Sequence, residues 1–230
     1  MTTIRFLPDV DLAIIAPLPT EQKRKALEGF RLSRPPYTYG HFRGMLPGLL
    51  RLATPMFGAP PEMPFEWWAN AIRRVAKTQA EADANIRVAA GVYASRWRGR
   101  EQHFPAMRTS IGHQLVYWAP AVLNINDRPV IPFFNPRKKA MPAHAFRFVY
   151  SLMHEQIRVA DPDFAEAALC INHFSSPKEG PRVLNTVYDD GISLFGFDEL
   201  QRMVAETYDI WAEVLAGRVA DARRRGGEPF

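Results

Sequence analysis

The chain of 230 residues contains a single cysteine, Cys170. One thiol supports neither an intramolecular disulfide framework nor a cysteine-cluster zinc site. No apolar run approaches the ~18 residues that a membrane-spanning helix requires. The N-terminal Met1-Thr-Thr-Ile-Arg-Phe6 has no basic segment leading into an apolar stretch, so no signal peptide is expected. These absences point to a reducing, cytoplasmic setting. Signatures of catalysis are missing as well. Neither a Gly-x-x-x-x-Gly-Lys-Ser/Thr loop nor a Gly-x-Gly-x-x-Gly fingerprint is present, and Gly44 and Gly48 are separated by Pro47. His154-Glu155 lacks the second histidine of a His-Glu-x-x-His site. His41, His103, His113, His144 and His173 are scattered and form no ligand pair at helical spacing. A Gly-x-Ser-x-Gly elbow is absent. Cys170 lies within an apolar run, where a thiol packs as a small hydrophobe.

Apolar residues make up 47% of the chain and aromatic residues 12%, enough to exclude a disordered protein. The length suits one domain over residues 1–230, divisible into a mainly helical part (1–105) and an α+β part (106–230). The formal charge is +5. Basic residues fall in small groups, namely Lys23-Arg24-Lys25, Arg96-Trp97-Arg98-Gly99-Arg100, Arg137-Lys138-Lys139 and Arg223-Arg224-Arg225. Each reads as a solvated face or terminus. None makes the long basic helix of a dedicated nucleic-acid binder, and charge alone leaves direct DNA contact open. A modest positive field favours encounters with polyanions or acidic protein surfaces.

Residues 1–19, punctuated by Pro8, Pro17 and Pro19, read as an extended segment with one short strand. Thr20 is placed to cap a short helix through Glu28. Pro35 to Gly40 is turn-rich. Residues 41–57 carry Met45, Leu46, Leu49, Leu50, Leu52 and Met56 close to one helical face, with Pro47 as a kink or start. Residues 58–64 are the clearest linker-like break. Phe65 to Arg98 reads as one long helix, or two with a break near Asp83. Residues 112–135 read as a hairpin of Gln114–Ala119 with Val130–Phe134, turning through Asn124–Pro129. Pro129 and Pro132 suggest an edge strand. A helix opened by Pro142 follows, then strands at Ala167–Phe174 and Arg182–Tyr188 with a loop at Ser175–Pro181 between them. Asp198 is placed to cap a final helix to about Arg218. The expected class is therefore α+β. N-terminal helices pack on a small antiparallel or mixed sheet, and the C-terminal half runs β-β-α-β-β-α.

Carboxylates offer one route to chemistry. A metal-dependent nuclease holds Mg²⁺ with two or three acidic groups on adjacent strands, aided by a lysine. Asp127, Asp161, Asp163, Glu166, Asp189 and Asp190 lie around the β-rich half. Pro162-Asp163 followed by Glu166 resembles the PD-(D/E)xK nucleases, but Glu166-Ala-Ala lacks the lysine two residues on. Asp127, Asp163 and Glu166 are the metal set this alternative would use.

Asp190-Gly-Ile-Ser-Leu-Phe-Gly-Phe197 is the most unusual stretch. Gly191 and Gly196 bracket three large apolar residues between a strand and a helix. The segment either plugs the core, with Phe197 stapling the last helix, or presents Leu194 and Phe195 to two adjacent pockets on a partner. Ile192-Ser193-Leu194-Phe195 resembles the last four residues of the bacterial sliding-clamp-binding peptide Gln-Leu-Ser/Asp-Leu-Phe, with Gly191 in place of the glutamine. Gln114-Leu-Val-Tyr-Trp118 keeps the glutamine but reads as an interior strand. On this basis the chain resembles the SocB-type toxins of the SocA/SocB toxin–antitoxin pair. The resemblance implies a replication inhibitor that needs no cofactor and docks on the polymerase sliding clamp through Ile192, Ser193, Leu194 and Phe195. It also implies an antitoxin that serves as a proteolytic adaptor.

Overall fold

A computed structural model describes residues 5–31, 38–54, 56–175 and 182–224, without the side chains of Ala222 and Arg223. Residues 35–37 of the turn-rich Pro35–Gly40 stretch, the loop after Ser175, and Arg225 of the last basic group lie outside the described residues.

Among the described residues the first element is a helix rather than a strand. Pro8 precedes α1 (Asp9–Ile15), and Asp9 and Asp11 in its first turn favour the positive end of the helix dipole. Val10, Leu12, Ala13 and Ile15 are all buried, so core burial outweighs the surrounding prolines. In α2 (Thr20–Gly29), Thr20 is the first helical residue, and its hydroxyl donates to Glu206 Oε1 at 2.6 Å instead of capping. The helix α3 (Gly40–Leu49) carries Pro47 in its last turn. It stops before Arg51, whose φ of 46° no helix sustains. Met56 is therefore not on its apolar face. The expected long helix is two, α4 (Phe65–Val75) and α5 (Gln79–Ser95). The break falls at residues 76–78, not at Asp83. There Thr78 accepts the Glu81 N–H at 3.2 Å, while the Glu81 carboxylate accepts the Lys77 N–H at 3.0 Å. This is a form of capping box, and it satisfies N–H groups that a continuous helix would not leave free.

Five strands form a mixed sheet in the order β1-β4-β5-β6-β7: β1 (Arg98–Glu101), β4 (Ala121–Ile125), β5 (Arg128–Asn135), β6 (Ala168–Ser175) and β7 (Val183–Tyr188). A second sheet pairs β2 (Met107–Arg108) with β3 (Gln114–Leu115). The hairpin partner of β5 is thus β4, not Gln114–Ala119. Its turn is Asn126-Asp127, both at positive φ as a type I′ turn requires. Nor is β5 an edge strand. It sits in the middle, parallel to β6, with Val130 opposite Ala168. Pro132 is tolerated there for a local reason. Its carbonyl accepts the Ala119 N–H at 2.7 Å, so its ring nitrogen faces the same side. That position lies beyond Leu123–Val130, the last β4–β5 pair, and the ladder loses no bond there.

The parallel pair is joined by α6 (Ala143–Met153), which continues as a π-helical turn, His154–Val159, and then a 3-10 turn, Pro162–Phe164. The final helix is α7 (Phe197–Arg224). From β4 onward the order is β-β-α-β-β-α, and the α+β class holds.

Helices cover both faces of the sheet because strand side chains alternate. Val122, Ile131, Phe133, Leu169 and Ile171 join α1, α2, α6 and α7 in one core. Leu123, Val130, Phe134, Cys170 and Phe174 join α3, α4 and α5 in the other. Each fully buried Leu, Ile or Phe contributes ~1.5–3 kcal/mol. No helix among the described residues is long and apolar enough to cross a membrane.

Candidate functional site

The bracketed segment lies where β7 hands the chain to α7. Gly191 takes φ 72°, a left-handed turn that L side chains resist. Asp189 fixes the entry. Its carboxylate pairs with Arg158 at 2.6 and 3.3 Å and accepts the Leu169 N–H at 3.2 Å. The Ile192 N–H then closes back on Asp189 O at 3.1 Å. Beyond that turn the backbone runs without helix or strand to Phe197.

The side chains divide along the segment. Ser193 is exposed, and Ile192 and Leu194 are half-buried against the core of α1, α6 and α7. Phe195 is only 7% exposed. Two α6 residues hold it. Its N–H donates to Ser151 Oγ at 2.8 Å, and its ring lies under the Arg147 guanidinium, 3.6 Å from carbon to ring centroid. Phe197, expected to staple the last helix, is 43% exposed instead. Leu194 and Phe195 are therefore neighbours in sequence but differ in access. Phe195 must leave α6 before it can fill a partner's pocket.

The glutamine-led stretch behaves as an interior element. Leu115 and Tyr117 are fully buried, and the Tyr117 hydroxyl donates to Asp9 O.

The carboxylates that a nuclease would need are not assembled. Asp127 sits in the β4–β5 turn. The Asp163 N–H is held by Asp161 Oδ1 at 3.0 Å in the 3-10 turn, and Glu166 follows it. All three lie toward one end of the sheet, since β5 and β6 are parallel. Yet no group of three or more His, Cys, Asp or Glu among the described residues could hold a metal ion. Asp163 and Glu166 occupy the turn before β6 rather than a strand beside Asp127, which is why the expected set fails to converge. Cys170 is buried beside Asn172, and desolvation pushes its thiol up to about 12, as suits a side chain that packs as a small hydrophobe.

Several basic groups are occupied in structure. Lys23 is buried and paired with Glu206 at 2.7 Å, not solvated as expected. Arg51, Arg96 and Arg98 converge on Glu62 at 3.0, 2.7 and 3.2 Å. Arg137 grips Asp11 through both guanidinium nitrogens. Sequence patterning missed one apolar feature altogether. Met56 and Phe57 are 86% and 85% exposed, side by side in a loop. Pro55 and Gly58 on either side carried the turn signal that could have found it.

These features define an α+β protein in which no three His, Cys, Asp or Glu among the described residues could hold a metal ion, and which carries large apolar side chains at its surface. Comparison with known families matches residues 10–221 to the family described as sliding clamp-binding bacterial toxin SocB. The DNA replication inhibitor toxin SocB of Caulobacter vibrioides (strain NA1000 / CB15N) is 32% identical over 225 residues, covering 96% of this chain and 94% of that protein. The chain belongs to the SocB family. No solved structure matches it significantly.

Proposed function

We propose that this protein binds the bacterial DNA polymerase sliding clamp and inhibits replication by occupying the surface that polymerases use. Membership of the SocB family over nearly the whole chain carries this reading. Occupancy alone suffices for inhibition, so the reading asks for no catalytic residue, metal or cofactor.

Ile192, Ser193, Leu194 and Phe195 are the docking peptide in this proposal. What supports them is the match to the clamp-binding pattern and a backbone outside helix and strand, with glycines on both sides. Engagement requires the Phe195 ring to leave Arg147 and its N–H to leave Ser151. Local opening of this kind lowers the apparent affinity by the fraction of molecules open.

The test is a titration of the purified protein with purified clamp, followed by competition with a polymerase-derived clamp-binding peptide. Binding that the peptide displaces is the expected result. Absence of binding removes the proposal. Leu194→Ala, half-buried and so least harmful to the fold, is expected to weaken binding by roughly tenfold. Unchanged affinity would remove the segment while leaving the clamp as partner.

A further inference from the structure

The loop between α3 and α4 displays apolar surface that the fold does not use. Thr54 and Gly58 exchange backbone hydrogen bonds, each 3.0 Å, and close a tight loop with Met56 and Phe57 at its tip. The base is fixed to the sheet. The Ala53 N–H donates to Gly99 O at 2.8 Å, and the Glu101 N–H donates to Ala53 O at 2.9 Å. The tip is thus a short, tethered projection mounted on β1. Met56 at 86% and Phe57 at 85% are the most exposed large apolar residues among those described. Two adjacent side chains of this size gain nothing from facing water, and neither belongs to a core cluster.

Their surroundings carry positive charge. The chain leaving the tip reaches Glu62, on which Arg51, Arg96 and Arg98 converge, so three cations meet one anion there. Arg100 adds a further cation on β1, and Glu101 beside it offsets part of that charge, leaving the arginines in excess. A surface that complements this one has an apolar cleft deep enough for two side chains and an acidic rim.

We propose that Met56 and Phe57 form a preformed anchor pair that inserts into the apolar cleft of the clamp. This rests on the clamp as partner and adds a first contact that precedes engagement of Leu194 and Phe195, so Leu194→Ala is expected to weaken binding less than the double variant does. The sequence supports the equivalence. Ala53-Thr54-Pro55-Met56-Phe57 ends in a large flexible aliphatic followed by phenylalanine, as Gly191 to Phe195 does, and methionine replaces leucine at little cost in volume. A small residue stands at the glutamine position in both. The physical difference is access. Phe195 must be extracted from α6, whereas Phe57 is already outside, and an anchor that needs no rearrangement carries no population penalty.

The experiment compares the wild-type chain, Met56→Ser/Phe57→Ser and Leu194→Ala in titrations with purified sliding clamp, with thermal melts of each. The double variant is expected to melt like wild type and to bind roughly 100-fold more weakly, as loss of two anchors entails. Phe57→Ala alone is expected to account for about tenfold of this, and raising the salt concentration should weaken wild-type binding as the arginine fringe is screened. If the double variant binds as tightly as wild type, the anchor assignment falls while the clamp reading stands. If wild type itself does not bind, both fall together.

Discussion

Met56-Phe57 and Leu194-Phe195 offer a controlled comparison within one molecule. Each is a large aliphatic residue followed by phenylalanine, and each lies in a loop beside a glycine. They differ in what lies behind them. Behind 194–195 is α6, which supplies Ser151 for the backbone and Arg147 for the ring. Behind 56–57 is only the closed turn of Thr54 and Gly58. The same short pattern is therefore a core element in one place and a free surface in the other. A linear motif acquires its meaning from the neighbours the fold provides, not from its letters.

The largest consequence concerns stability. Phe195→Ala removes a buried ring and leaves a cavity under Arg147, and is expected to cost about 3–5 kcal/mol in urea unfolding. Met56→Ala and Phe57→Ala are expected to stay within about 0.5 kcal/mol of wild type. Equal effects at the two sites would erase the distinction drawn here. Ser151→Ala is a finer probe. It deprives the Phe195 N–H of its acceptor at a buried position, with an expected cost of about 1–3 kcal/mol. Faster amide exchange at residues 192–195 than in α7 would mark the segment as able to open separately. Exchange unchanged there, with stability lost globally, would show that it opens only with the whole fold.

The smallest expected effect comes from pH. His173 packs its ring against Phe146 of α6, and both ring nitrogens are buried without a partner among the described residues. Burial lowers its pKa below 6.5, and burial lowers that of His113 likewise. A histidine whose folded pKa is depressed leaves the unfolded chain to bind the proton first. Stability is then full above about pH 6.5 and declines as pH falls towards the folded pKa. Asp9 acts in the opposite sense. Burial raises its pKa, so the folded state takes up its proton first and stability is partly regained at still lower pH. Melting temperature is therefore expected to drop between pH 7 and pH 5, and His173→Gln should flatten the drop. A flat wild-type profile would contradict the burial of these rings.

Much of the fold was legible from the residues alone. The continuous apolar run of β6, the alternation of β7 and the helical stripe of α7 specify their elements locally. The expected errors arose where tertiary context decides. In α1 the prolines argued for extended chain, yet Pro8 only starts a helix that the core then fills. Pro132 argued for an edge, and its nitrogen proved to face a gap in an interior strand. Thr78-x-x-Glu81 was a readable capping signal that the continuous apolar pattern around it obscured. The site is the least legible part. Sequence showed Leu194-Phe195 as a motif but not the α6 residues that cover it, and it assigned Met56 to a helix face that ends at Leu49.

One clasp joins α2 to α7. Lys23 and Thr20 of α2 both bond to Glu206, Arg24 pairs with Glu213, and the Arg218 guanidinium closes on the carbonyls of Leu27, Glu28 and Phe30. The α2 helix thus finds its partner in α7, more than 180 residues away along the chain. Contacts of such long separation form late. On the ribosome α2 therefore waits for a mate that is made long after it.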